Sequence, residues 1–97
     1  MAKRQKGRRV CYLCGRNGSV EPLERHHVFG GPYRWKSELY GAEVDLCAFS
    51  CHREGKDSVH RNAMVSRALK EEFQLKIMAE QDWDVPRFVE EFGKNYT

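Results

Sequence analysis

Residues 43–52 read EVDLCAFSCH, and this stretch decides how the chain is expected to fold. Polar and apolar residues alternate over its first four positions, as they do in a short β-strand with one buried face. The strand leads directly into Cys47, and Cys51 follows after three intervening residues. Closely spaced cysteines in a turn are typical of one half of a zinc site.

The other half of that site is predicted at Cys11 and Cys14, which 32 residues separate from Cys47. Four thiolates in two close pairs match the tetrahedral coordination that Zn²⁺ prefers. A chain of 97 residues buries only a small core, and a structural zinc contributes roughly 10–16 kcal/mol of apparent folding energy in small peptides. The pattern therefore predicts a structural zinc site of four cysteines. Two alternatives stay open: His52 replaces Cys51 as the fourth ligand, or the thiols are free.

All the histidines of the chain lie between the first cysteine pair and the start of a long predicted helix: His26, His27, His52 and His60. Residues 23–28 form a candidate strand that carries the adjacent pair, and neighbouring side chains of a strand point to opposite faces. One imidazole can therefore bind a divalent metal while the other takes a proton from water. Such a metal, with open coordination positions, neutralises the charge that develops when a phosphodiester is cleaved.

Helices are predicted on either side of the second strand. A short helix is expected over 34–40 with Gly41 as its C-terminal cap, and a long one from about 59 to 80 with Ser58 as its N-cap. A last helix starts at Asp84 or Pro86 and ends at Gly93. The residues expected to be buried on the two later helices are Val65, Ala68, Leu69, Phe73, Ile77, Val85, Phe88, Val89 and Phe92. The predicted fold class is α+β, a small ββα unit with a four-cysteine zinc knuckle and additional C-terminal helices.

The charge distribution suggests a nucleic-acid partner. Residues 1–9 carry five basic side chains and no acidic one, while the net charge of the chain is only +3. Such an arm suits a polyanion such as DNA, although a solvated terminus explains it equally well. We expect a flexible basic arm over 1–9 and a single domain over 10–97. That domain consists of a zinc and histidine core over 10–62 and a helical extension over 63–97.

No apolar run suits a membrane span, and no secretory signal follows the basic start. We therefore expect a protein of the reducing cytoplasm, where paired cysteines bind metal rather than form disulfides.

The motifs over 23–28, 44–47, 51–52 and 59–62 together resemble the HNH endonucleases of the ββα-metal class. The likeness is strongest to the small zinc-containing HNH proteins of phages and prophages. It implies metal-dependent hydrolysis of DNA phosphodiesters that leaves a 3′-hydroxyl and a 5′-phosphate. It also implies Mg²⁺ or Mn²⁺ as the catalytic ion, with Ni²⁺ or Zn²⁺ possible, beside the structural Zn²⁺. A monomer or weak homodimer in the bacterial cytoplasm, with a phage DNA-processing partner, fits the same resemblance.

The resemblance assigns a role to each histidine. His26 binds the catalytic metal, His27 is the general base, and His52 and His60 are further metal ligands. Glu24 corresponds to an acidic residue that supports a ligand in some relatives, and a plain surface charge is the equal alternative. Arg25 and Arg61 are candidates for contact with the scissile phosphate, or ordinary surface residues.

Two departures from the family pattern bear on the site. The middle Asn of the motif is absent, and Ala42 stands at the corresponding position, so Ser37, Glu38 or backbone groups would have to substitute. The eight-residue spacing of His52 and His60 requires residues 53–57 to fold back; otherwise only His52 is a ligand. Two rival functions stay open: a zinc-ribbon protein that binds nucleic acid without chemistry, and a scaffold whose histidines hold a second structural zinc.

Overall fold

The structure, a computed structural model, describes residues 9–97. A 3-10 turn at Gly31–Tyr33 precedes the first helix, and a π-helical turn at Ala48–Arg53 follows the second strand. The regular elements are β1 (Leu23–His27), α1 (Arg34–Leu39), β2 (Glu43–Cys47), α2 (Ala63–Gln81) and α3 (Val85–Phe92). The predicted α+β class is thus confirmed. Of the predicted basic arm, only Arg9 lies within the described residues.

β1 and β2 pair as a two-stranded sheet. The Ala48 N–H donates to the Pro22 carbonyl just beyond one end of the ladder, and the Val28 N–H donates to the Ala42 carbonyl just beyond the other. Residue numbers increase along one strand while they decrease along the facing strand, so the pair is antiparallel. The facing pairs that matter for the site are Arg25 with Asp45 and His27 with Glu43.

The chain divides into two compact units. The first comprises the described residues up to His26 together with Val44–Ala63, and the second comprises His27–Glu43 and Met64–Thr97. The apolar core of the first unit is small, and three of its buried residues are cysteines. Its buried apolar residues are Cys11, Val44, Leu46, Cys47, Ala48, Cys51 and Val59.

An aromatic cluster forms the core of the second unit. The ring of Phe92 lies 4.7 Å from those of both Phe29 and Phe88, and it stacks on Phe88 at an interplanar angle of 14°. Such ring pairs add about 0.5–1.5 kcal/mol each beyond the area that they bury. Three of the α2 residues predicted to be buried, Leu69, Phe73 and Ile77, are buried in this unit.

The ends of α3 follow from local chemistry that the sequence displays. The Asp84 carboxylate accepts a hydrogen bond from the Arg87 N–H and caps the helix, and Gly93 ends it with a φ of 84°. Glycine takes this left-handed conformation without the steric cost that a Cβ brings. Both predicted boundaries are therefore confirmed. Among the helices of residues 9–97, none combines the length and the apolar character that a bilayer crossing requires.

The predicted start of α2 is wrong. Ser58 does not cap this helix, which begins at Ala63 rather than near Val59. Residues 58–62 instead form a tight turn in which the Ser58 carbonyl accepts hydrogen bonds from the N–H groups of Arg61 and Asn62.

The predicted burial of Ala68 on α2 is also wrong, because this residue is exposed. Gln74 is buried instead. Its amide donates to Asn95 at 2.8 Å and accepts from the Tyr96 N–H at 2.7 Å. These bonds compensate for the burial of a polar side chain.

Candidate functional site

The four cysteines converge in the first unit. Their Sγ atoms all lie within 4.8 Å of one another, and those of Cys14 and Cys47 are 3.5 Å apart. A tetrahedral zinc with bonds of about 2.3 Å requires sulfur atoms roughly 3.8 Å apart. The group is therefore able to hold a metal ion such as zinc. Cys51, and not the alternative His52, is its fourth member.

A tight turn presents the first cysteine pair. The Gly15 N–H donates to the Cys11 carbonyl at 2.9 Å, and Gly15 has a φ of 82°, which favours glycine. The Cys11 N–H donates in turn to the Arg16 carbonyl, and the Tyr12 N–H donates to the Asp45 carbonyl of β2. The turn that carries Cys11 and Cys14 is thereby attached to β2, the strand that ends at Cys47.

Burial disfavours the charged thiolate form of the buried cysteines, but hydrogen bonds change the pKa of Cys11 and of Cys47 in opposite directions. Burial alone would raise the pKa of Cys11, yet the backbone N–H groups of Cys14, Cys47 and Leu13 bring it down to about 7. Burial, with hydrogen bonds that the Cys47 thiol donates to Cys14 and Cys11, raises the pKa of Cys47 to about 11, and burial also raises that of Cys51. Four thiolates this close together require a cation to neutralise them.

Glu21 is a structural residue of this centre that the sequence analysis missed. Its carboxylate accepts hydrogen bonds from the N–H groups of Phe49 (2.8 Å) and Ser50 (2.9 Å), from the Ser50 hydroxyl, and from Arg16. The Ser50 hydroxyl and then the two N–H groups lower the pKa of Glu21. Glu21 therefore holds the π-helical turn between Cys47 and Cys51.

Three of the histidines form a second cluster in the same unit. Ring nitrogens of His26, His52 and His60 lie within 4.8 Å of one another, and the centroids of the closest two rings, His52 and His60, are 4.8 Å apart. Imidazole nitrogens bind zinc at about 2.0–2.1 Å. The three side chains are therefore a group that could hold a metal ion.

The fold-back required of residues 53–57 is present. The Val59 N–H donates to the Cys51 carbonyl at 2.9 Å, and the His60 N–H donates to the His52 carbonyl at 3.2 Å. This pairing places the turn that carries His60 beside the π-helical turn that carries His52. Both histidines therefore reach the cluster despite their wide spacing in sequence.

Glu24 contacts the cluster from β1. Its Oε1 lies 2.8 Å from Nδ1 of His52, and its Oε2 accepts from Arg53 at 3.0 Å. Because an ionised carboxylate only accepts, it favours a hydrogen on Nδ1 of His52, which leaves the lone pair of Nε2 available to a metal. Burial, and then the charges of His52 and Arg53, lower the pKa of His60. The lowered pKa favours the neutral imidazole that metals bind.

The two arginines predicted to flank the site have protein partners. Arg25 donates to Asp45 at 3.1 Å, and Arg9 donates to the same carboxylate at 2.6 Å. The hydrogen bond from Arg9, and then the one from Arg25, lowers the pKa of Asp45 although burial opposes this. Arg61 donates to the Glu54 carbonyl at 3.3 Å. Both arginines are exposed, so their contact with phosphate stays a prediction.

His27 belongs to the second unit, where two carboxylates face it. Its Nε2 lies 2.8 Å from Oε2 of Glu38 and 3.9 Å from Oε1 of Glu43. No local feature of the sequence singles out Glu43 as a neighbour of this imidazole. Glu38 is one of the groups predicted to substitute for the absent Asn.

Ala42 stands at the position of that Asn, where the surrounding structure encloses its small side chain completely. Ala42 is fully buried, and its main-chain N–H donates to the Ser37 carbonyl at 2.7 Å. Ser37 in turn connects α1 to the residue two positions after His27, because its hydroxyl donates to the Phe29 carbonyl and accepts from the Phe29 N–H. Ser37 thus braces the segment between the strands.

Comparison of the chain with protein-family models, with curated proteins and with solved structures finds no match.

Proposed function

We propose that this chain is a metal-dependent endonuclease that hydrolyses DNA phosphodiester bonds and leaves a 3′-hydroxyl and a 5′-phosphate. The supporting observation is the cluster of His26, His52 and His60. Among residues 9–97, no further His, Cys, Asp or Glu belongs to that group. Three ligands leave coordination positions for a phosphate oxygen and water, whereas a structural zinc site is closed by four.

The residues divide the work by their chemistry. A divalent ion, with Mg²⁺ or Mn²⁺ preferred and Ni²⁺ or Zn²⁺ as alternatives, supplies a Lewis acid for the scissile phosphate when bound. His27 removes the proton from the attacking water, which a neutral imidazole does well near pH 7. Glu24 keeps His52 in the tautomer that binds metal. The four cysteines hold a structural zinc that stabilises the turns on which His52 and His60 stand.

The test is nicking of supercoiled plasmid with Mg²⁺, Mn²⁺ or Ni²⁺. We expect His27→Ala to lower the rate by at least about 10²-fold, the usual effect of losing a general base, and His60→Ala to lower it because a ligand of the divalent ion is lost. Both variants should keep the zinc that the cysteines hold, because neither histidine belongs to the cysteine cluster. Met64→Ala is the control, since its side chain is 81% exposed and lies close to His60 in sequence.

Two outcomes would contradict the proposal. Equal nicking by wild type and His27→Ala would show that His27 is not the base. No nicking with any of the ions, combined with retained binding to the plasmid, would favour the zinc-ribbon protein that binds nucleic acid without chemistry.

A further inference from the structure

The contact between His27 and Glu38 determines which imidazole nitrogen carries the hydrogen. Nε2 of His27 lies 2.8 Å from the Glu38 carboxylate, and the His27 side chain is 14% exposed. An ionised carboxylate only accepts hydrogen bonds, so the hydrogen lies on Nε2. A neutral imidazole has one N–H, and Nδ1 is therefore left with a free lone pair.

Glu38 is held in place by its neighbours in α1, although its own side chain is 59% exposed. Ser37, directly before it, is fully buried and makes two hydrogen bonds to the main chain of Phe29, at 2.8 and 3.0 Å. Phe29 follows His27 by two residues. These bonds therefore fix the backbone of Glu38 next to the end of β1.

Lys36 fixes the same short helix on another side. Its ammonium donates to the main-chain carbonyl of Glu91 at 2.6 Å and to the Glu91 carboxylate at 3.1 Å. The Lys36 side chain is only 17% exposed, so this pair is better shielded from water than an ordinary surface pair. α1, which carries Glu38, is thus attached both to the segment after β1 and to α3.

The other nearby carboxylate, that of Glu43, does not compete for this hydrogen. Its Oε1 is 3.9 Å from Nε2 of His27, which is beyond the range of an N–H···O hydrogen bond.

We infer that Glu38 is the positioning residue of His27: its carboxylate accepts the Nε2–H bond and makes Nδ1 the nitrogen that takes the proton. This inference rests on the proposed function. In the reaction, a proton passes from water to Nδ1 while the water oxygen bonds to phosphorus. The P–O3′ bond breaks, and the 3′ oxygen leaves with the electron pair and takes a proton from solvent. The Glu38 carboxylate meanwhile stabilises the imidazolium.

The first experiment reads the tautomer directly. Zinc-loaded, ¹⁵N-labelled protein is examined by long-range ¹H–¹⁵N correlation at about pH 8.5, well above the ordinary histidine pKa of about 6.5, without DNA or added divalent metal. The spectrum of His27→Ala assigns the signal. We expect the wild type to show the Nε2–H form, and Glu38→Ala to show a mixture of both forms. Glu71→Ala, which removes an exposed carboxylate from α2, should leave the tautomer unchanged.

The second experiment measures plasmid nicking by the same variants. Loss of a group that orients a histidine typically costs about 10–100-fold, and we expect this in kcat with little change in KM, because Glu38 is assigned no contact with DNA. Glu38→Asp should recover part of the rate.

Each failure has a different meaning. If His27 stays in the Nε2–H form in Glu38→Ala, or if only Glu43→Gln alters it, Glu38 does not position His27 and the inference is wrong. If the tautomer follows Glu38 but His27→Ala nicks like the wild type, the proposed base is wrong, and the positioning role falls with it.

Discussion

At the scale of single residues, Glu21 tests how the π-helical turn between the candidate zinc ligands Cys47 and Cys51 is held. Glu21→Gln removes the charge that attracts two N–H groups and a hydroxyl of residues 49–50. We expect zinc to leave the protein about 10-fold faster, as is typical when a group that supports metal ligands is lost. A chromogenic chelator measures the release, and Glu80→Gln on α2 is the control. Equal release rates for wild type and Glu21→Gln would show that this carboxylate does not hold the turn.

The pKa of Glu21 sets the pH range of that effect. The folded pKa lies below the ordinary value of about 4.3, so the stabilisation is fully present above that value and is lost as the pH falls through the lowered pKa. The ratio of the two release rates should therefore be the same at pH 6 and pH 8. A ratio that changes within this range would assign the effect to another group.

A sequence predicts the candidate metal ligands, which are cysteines and histidines, better than it predicts the acidic residues that hold them in place. Cysteine and histidine are few, with four of each, and their spacing allows few arrangements. Acidic residues number 14, and nothing local distinguishes Glu21 from the others, whereas Glu24 and Glu38 are singled out only through the family resemblance. Their partners lie 11 to 29 residues away in sequence, so the pairing is decided by the fold.

At the scale of elements, Gly55 lies so close to the π-helical turn that there is no room for a side chain at this position. A Cβ at this position would overlap the backbone carbonyl of Ser50, which a side-chain rotation cannot relieve. We expect Gly55→Ala to lower the free energy of unfolding by about 1–3 kcal/mol, the usual cost of overpacking. Urea unfolding of the zinc-loaded protein measures this. Gly30→Ala, where a Cβ meets nothing within 4 Å, is the matched control, and an equal effect of both would contradict the steric explanation.

The predicted and missed elements differ in the range of the interactions that form them. β2 follows from alternation, and α3 follows from its cap at Asp84 and its glycine at 93, all of which are local signals. The start of α2 was misplaced because the turn over 58–62 depends on a long-range bond, from the Val59 N–H to the Cys51 carbonyl. A helical pattern alone contains no sign of that bond.

At the scale of the whole molecule, the two units should respond differently to removal of zinc. The first unit contains the cysteine cluster and the histidine cluster, and three of the seven buried apolar residues among its described positions are cysteines. The second has the cluster of Phe29, Phe88 and Phe92, which needs no ion. Chelation, or Cys47→Ser, should therefore abolish amide-exchange protection in residues 9–26 and 44–63 while α2 and α3 stay protected. Hydrogen exchange read by mass spectrometry measures this for each segment. Simultaneous loss of protection in α3 would show that both units depend on the zinc, and unchanged protection everywhere would show that the cysteines do not hold a structural ion.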